Sequence, residues 1–313
     1  MASSFEILRG WETGQLAAIL NKVSGGDRAK LEAILRDETE ISIIERAVKL
    51  FDKNGRRIPP KDLQAAVCNP DKKFYLVQPR LILADYADRL VRFQEAFKAG
   101  PVMSAAEFEG RSKELVSEIR NQKDLANLLN GVYLPVILPK LDSFEDYGRT
   151  LEEIFLPAVT FAYEKQFPDR KFYNYRKNDL VDKVSIVEGT RHEQLVGKMT
   201  QDYVVAIYFP NSLQGFSVFA SREQLSVLPG FLFLAGGFDA SVALAMYPDV
   251  LARDYQAPGY DLSALIWRSP GYSLYFRADD DGLVFDRGGD LGFANDNYSS
   301  GLLFLGSARF FVL

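Results

Sequence analysis

The densest run of carboxylates in this chain, Asp279-Asp280-Asp281-Gly282, invites a calcium-loop reading. An EF-hand loop alternates its oxygen ligands, places glycine sixth and ends on a glutamate at position twelve. Counted from Asp279, the sixth residue is Val284 and the twelfth is Asp290, so that template fails and only a looser oxygen site stays open. Two aspartates converging within about 5–10 Å would suit glycoside hydrolysis, but no spacing here marks a pair. One histidine, His192, and one cysteine, Cys68, are too few for a transition-metal centre. His192 lies in Thr190-Arg191-His192-Glu193, a capping-box pattern that predicts a solvated position in the first turn of a short helix ending at Met199. A hydrolytic triad would also need a placed nucleophile and an orienting acid. Cys68 reads as a small buried residue. Gly236-Gly237 precedes a helical stretch without the spacing of a dinucleotide or phosphate loop. The sequence therefore assigns no catalytic residue, no metal ligand set and no cofactor.

What remains is a surface, and its composition is unusual. No Lys follows Lys198, no Glu follows Glu223 and no Gln follows Gln256. From Leu265 onward charge is carried by Asp and Arg alone, among Tyr, Ser, Gly and Asn. Antibody loops use a similar palette, in which rigid aromatics give contact area at low entropy cost and Ser, Gly and Asn give adaptable hydrogen bonds. The plainer reading is a β-meander with Asp/Gly turns, which also disfavours Lys, Glu and Gln.

The elements that must hold such a surface are short strands. Tyr203 to Phe209, Phe216 to Ala220, Phe231 to Leu234, Ser273 to Phe276, Leu283 to Phe285 and Gly301 to Leu305 are β-branched or aromatic runs separated by turn residues, and Phe310 to Leu313 is a candidate closing strand. Residues 12 to about 130 read instead as helices. Tyr86, Leu90, Phe93 and Phe97 form one apolar stripe, and Ser104-Ala105-Ala106-Glu107 is a capping box before Leu115 and Ile119. Pro135 and Pro139 around Val136-Ile137-Leu138 mark an expected junction between halves, and Pro157 an expected break in the helix that carries Leu151 and Phe155.

At 313 residues the chain has room for one large or two medium domains, and 47% hydrophobic with 25% charged residues is a normal globular balance. A net charge of −5 argues against non-specific nucleic-acid binding, so Phe172-Tyr173-Asn174-Tyr175-Arg176-Lys177 reads as a structural loop. The first ten residues lack the pattern of a secretory signal and no apolar run reaches membrane-spanning length, so a cytoplasmic protein without a membrane span is expected.

Leu265-Ile266-Trp267-Arg268-Ser269, Leu274-Tyr275-Phe276, Leu283-Val284-Phe285 and Tyr298-Ser299-Ser300-Gly301-Leu302-Leu303-Phe304 together resemble the C-terminal half of a C-type-lectin-like domain of the formylglycine-generating-enzyme type. They also resemble the variable proteins of diversity-generating retroelements, which use that fold. In that family adenine-directed mutagenesis diversifies selected codons of a C-terminal cassette, and codons descended from AAC or AAT cannot yield Lys, Glu, Gln, Met or Trp. All five are absent from Ser269 onward. The resemblance stops short of enzyme activity, because no cysteine follows Cys68, and of sugar binding, because the Glu-Pro-Asn and Trp-Asn-Asp motifs are missing.

The resulting expectation is an α+β protein with a helical N-terminal region at 1–135. A C-type-lectin-like domain of short antiparallel strands and irregular loops follows at 136–313, with a variable segment at about 265–306. The resemblance implies a non-enzymatic ligand-binding protein whose partner is a protein target. The expected contact residues are Tyr272, Arg277, Asp279, Asp280, Asp281, Asp286, Arg287, Asp290, Phe293, Asn295, Asp296, Asn297 and Tyr298. The competing expectations are an aspartate-dependent hydrolase, with or without a divalent cation, and a scaffold whose helical half recruits a partner.

Overall fold

The eleven residues Val204–Gln214 form the longest described strand, because β-branched and aromatic side chains pack well on a pleated surface buried on both faces. The computed structural model describes residues 25–36 and 49–306, together with Ala18, Asn21 and Val23. The chain divides into two units, Met1–Ala47 and Val48–Leu313. In the first, helix α1 (Arg28–Leu35) follows Gly25 and Gly26, both in the left-handed region, and the Asp27 carboxylate accepts the Ala29 N–H at its start. Of the helical reading from 12 to about 130, residues 12–17, 19, 20, 22, 24 and 37–48 lie outside the described residues, as does the candidate closing strand Phe310 to Leu313.

The second unit is α+β. Its strands are β1 (Leu134–Leu138), β2 (Lys171–Asn174), β3 (Val184–Ile186), β4 (Val204–Gln214), β5 (Leu232–Leu234), β6 (Gly259–Asp261), β7 (Leu265–Trp267), β8 (Ser273–Ala278), β9 (Gly282–Gly288) and β10 (Tyr298–Phe304). The main sheet runs β1-β4-β10-β6-β8-β9-β2, with β5 also on β10, while β3 and β7 form a separate pair. Most pairs are antiparallel; β10 with β6 and β9 with β2 are parallel.

Strand β10 is the pivot. One edge runs along β4 with a register shift between Ser300 and Leu302. The other edge is divided: Tyr298, Ser299 and Ser300 pair with β6, and Leu302, Leu303 and Phe304 pair with β5. Gly301 sits at the division. A Cβ there would lie 2.6 Å from the Tyr208 hydroxyl on β4, so only glycine fits.

Helices α2 (Leu83–Phe97) and α3 (Ala105–Asn121) belong to this same unit, with Tyr86, Leu90, Phe93 and Phe108 in one apolar core with β1. The boundary expected at 135/136 therefore runs through a packed body. Val136-Ile137-Leu138 is no junction: it is fully buried within β1, and the flanking prolines sit at a sheet edge, where a missing donor costs least. Ser104 caps α3, accepting the Glu107 N–H at 3.1 Å, while the Glu107 carboxylate of the expected capping box pairs with Arg111. Pro157 does not break its helix. α4 (Tyr147–Thr150) continues through a π turn at Leu151–Phe155 into α5 (Leu156–Gln166), with Pro157 in the first turn of α5, where the missing N–H is tolerated. The stretch Phe216 to Ala220 is not a strand either. The Ser217 hydroxyl accepts the Ala220 N–H at 3.1 Å and starts helix α7 (Val218–Gln224). The aromatic segment at Phe172 is strand β2 rather than a loop.

Helix α6 (His192–Met199) leads into β4. Helix α8 (Gly237–Met246) is buried at every position and lies at the centre of the core, followed by the short α9 (Pro248–Leu251). Phe238 of α8 stacks on Tyr147 at 4.0 Å and on Phe155 at 4.3 Å between ring centroids. Among the described residues no helix is long and apolar enough to cross a membrane.

Candidate ligand-binding cleft

Strand β8 alternates with period two, as a strand buried on one face must. Leu274, Phe276 and Ala278 enter the core, while Tyr275 and Arg277 are half-buried on the opposite face. The register places Asp261 of β6 opposite Tyr275, and Tyr275 opposite Asp286 of β9. On the far side Tyr298 of β10 pairs with Gly259 of β6. A Cβ at Gly259 would lie 2.6 Å from the Tyr298 ring, so the bare backbone lets that ring cross β6. There it meets Tyr275 edge-on, with centroids 5.6 Å apart and planes at 80°.

The segment between β9 and β10 closes the other wall. Asp290 is left-handed with φ 54°, and its carbonyl accepts the Phe293 N–H at 3.0 Å. The result is a cleft of about 310 Å³, with Asp261, Ser273, Tyr275 and Arg277 on the sheet side and Asp290, Phe293, Asn295, Asn297 and Tyr298 on the loop side.

Six of the expected contact residues meet here: Arg277, Asp290, Phe293, Asn295, Asn297 and Tyr298. Three others gather around Trp267. Arg287 lies 4.6 Å from the Tyr272 ring and 5.9 Å from Trp267, and Asp286 forms an ion pair at 2.8 Å with Arg176, itself 5.3 Å from Trp267. Asp279, Asp280 and Asp281 form the β8–β9 turn. Asp279 binds Arg277 at 2.9 Å, Asp281 accepts the Tyr173 hydroxyl at 3.3 Å, and Asp280 is exposed. Asp296 is exposed, and its carbonyl accepts from the Gln214 amide and the Asp71 N–H. None of the thirteen is buried. Asp261, Ser273 and Tyr275 also line the cleft, although the sequence did not single them out. The alternation of Tyr275 and Arg277 with Leu274 and Phe276 is the one signal that could have found Tyr275.

The electrostatics of the cleft turn on Asp261. By surface area it is only half-buried, yet its carboxyl sits deep enough among protein atoms for desolvation to push it up to about 7. It makes no hydrogen bond or ion pair with any described residue. Desolvation likewise pushes the Tyr298 phenol up to about 12 and raises that of Tyr275, so both rings face the cleft as neutral phenols. Arg277 is held firmly charged, first by its hydrogen bond to Asp279. Asn297 Oδ1 and Arg277 Nε are buried without partners.

A second polar cluster lies sealed in the core. His192 is fully buried, contrary to the solvated position expected from the capping pattern. That pattern does not form: the Thr190 hydroxyl donates to the Val187 carbonyl at 2.6 Å, and Arg191 takes the cap position with φ 65°. Tyr147 Oη lies 2.7 Å from His192 Nε2 and accepts the N–H groups of Gly237 and Phe238 at 2.9 and 3.2 Å. With both lone pairs taken, the phenol must donate its proton to Nε2, which fixes the imidazole as a neutral acceptor there. Desolvation agrees, lowering His192 to about 4. Asp239, fully buried, accepts the Gly236 N–H at 2.8 Å, and desolvation pushes its carboxyl up to about 7.

Among the described residues no three His, Cys, Asp or Glu side chains gather to hold a metal ion. No protein-family model, no curated protein and no solved structure matches the chain.

Proposed function

We propose that this is a non-enzymatic recognition protein whose C-terminal strands and loops, in a C-type-lectin-like arrangement, present a diversified surface to a protein target. The observation that carries the reading is the division of labour along β8 and β9. Leu274, Phe276, Leu283 and Phe285 are fully buried, while the thirteen contact residues all keep solvent access. Surface positions of that kind change at a cost usually within about 0.5 kcal/mol. Exposed aromatic and arginine groups such as Tyr272, Phe293 and Arg287 are the types that dominate binding energy at interfaces. The absence of Lys, Glu, Gln, Met and Trp after Ser269 is what adenine-directed diversification would leave.

The test is a display library randomised at the thirteen positions. Most members should fold, as read by protease resistance, and selection against an arbitrary folded protein should return binders. A library in which most members unfold, or none binds any target, would remove the proposal. The aspartate-dependent hydrolase keeps one point in its favour, since Asp261 and Asp290 line the same cleft. Turnover of a glycoside that vanishes in Asp261→Asn would establish it instead.

A further inference from the structure

We propose that the cleft receives one guanidinium or ammonium group carried on a side chain of the protein partner, with the Asp261 carboxylate as counter-ion and Tyr275, Tyr298 and Phe293 as aromatic walls. The inference rests on the recognition reading and names what its central cleft takes.

Unspent hydrogen-bonding capacity is the first argument. The neighbouring aspartates are engaged: Asp279 by Arg277, Asp286 by Arg176 and Asp281 by Tyr173. Asp261 alone on the sheet floor has no partner among the described residues, and Asn297 Oδ1 is a second acceptor left unfilled. Arg277 Nε is a buried donor without a partner beside them, and the Arg277 charge is already balanced by Asp279. The Asp261 carboxyl and Asn297 Oδ1 therefore lack a donor, and Asp261 lacks a counter-ion; a cation with several N–H groups supplies both. A buried acceptor left empty is costly, so a ligand that fills Asn297 Oδ1 gains more than its direct contact.

The walls give the second argument. Tyr275 and Tyr298 are both neutral, pack edge-to-face and line the same cleft as Asp261. A cation over a phenol or phenyl face is attracted by the ring quadrupole. The size gives the third. At about 310 Å³ the cleft sits at the lower end of ligand sites and has room for a whole arginine or lysine side chain. Phe293, 66% exposed on the rim, offers contact area that a free small cation would leave unused, which points to a side chain on a protein. Desolvation of Asp261 fits this use, because an arriving positive charge holds the carboxylate ionised.

The experiment is an NMR titration of the full chain with N-acetylarginine amide, N-acetyllysine amide and their neutral or acidic counterparts, N-acetylcitrulline amide and N-acetylglutamate amide. The two cations should saturate, shifting Tyr275 and Tyr298 signals, and the other two should not. Asp261→Asn should weaken the cations at least about tenfold. Phe293→Ala, at an exposed position that folding does not need, should weaken them about twofold to threefold. Citrulline binding as well as arginine, or Asp261→Asn leaving arginine unchanged, overturns the inference. If that happens while the randomised face still yields binders, the recognition reading survives without it. If the cations bind through Asp261 but no library member binds a protein, the partner half of the inference is overturned and the cleft is a site for a free cation.

Discussion

Two carboxyl groups in this protein are pushed to about 7 by the same cause, and they sit in opposite surroundings. Asp239 is sealed: it accepts the backbone N–H of Gly236, with His192 and Tyr147 closing the space beside it. Asp261 is half-open, its carboxyl without a hydrogen bond among the described residues, on the floor of a cleft walled by aromatic and amide side chains. A perturbed carboxyl is therefore no guide to function by itself. The sealed one belongs to a network whose other members need it for packing and helix capping. The open one has capacity that nothing in the described chain uses. Substitutions in the two regions should separate accordingly, with stability answering to the first and binding to the second.

The largest effect belongs to the sealed region. Phe238→Ala removes the ring stacked between Tyr147 and Phe155, and should cost about 3–5 kcal/mol in urea unfolding. The equivalent truncation at the cleft rim, Phe293→Ala, should cost less than about 0.5 kcal/mol. Equal losses at the two sites would erase the distinction. Next comes Tyr147→Phe, which leaves the Gly237 and Phe238 N–H groups and His192 Nε2 without their shared partner. A buried group stranded in this way costs about 1–3 kcal/mol, and Tyr298→Phe in the cleft should cost well under that.

The pH dependence sharpens the same contrast. Asp239 stands at about 7 in the folded protein, against about 3.9 when unfolded. The folded state binds the extra proton, so this stabilisation is complete below about 3.9 and is lost as pH rises through 7. His192 works the other way. At about 4 folded against about 6.5 unfolded, its contribution is complete above 6.5 and lost as pH falls through 4. Between about pH 4 and 6.5 the two nearly cancel. Asp239→Asn removes one side of that balance while keeping an acceptor for Gly236. From about pH 4.5 to 6.5 the variant's stability should rise more than the native protein's, by an amount approaching 2.7 kcal/mol for two full units. Parallel curves for the two proteins would show that Asp239 is not held protonated.

Much of this frame can be read in the sequence and some cannot, for physical reasons. The alternation in Leu274-Tyr275-Phe276-Arg277 and the Ser104 cap are local signals, and local chemistry settles both. The Thr190 capping pattern is equally local but loses, because the Thr190 hydroxyl finds the Val187 carbonyl and His192 is drawn into the core by Tyr147. Val136-Ile137-Leu138 between two prolines looks like a linker, yet β4 supplies its pairing from seventy residues away. Asp261 was invisible for the same reason. Nothing beside it in the chain distinguishes it, and only the register of β6 on β8 sets it opposite Tyr275. The halves of the chain are likewise not separable by composition: the helices at 83–121 share a core with β1 that periodicity alone cannot reveal.

A substitution with a small effect on stability should be the most telling for the cleft. Gly259→Ala puts a methyl group 2.6 Å from the half-buried Tyr298 ring, which lines the cleft and has to turn to make room. The backbone at Gly259 does not have the positive φ that would strain alanine, so the cost in urea unfolding should stay within about 1 kcal/mol. Rotation of Tyr298 breaks its edge-to-face contact with Tyr275 and moves it from Arg277, so the wall above Asp261 is lost while the core behind it stands. The variant should therefore unfold almost as the native protein does but lose most of its response to the arginine probe. If the cation still binds with native affinity while the Tyr298 signals have moved, the aromatic wall contributes nothing and Asp261 acts alone.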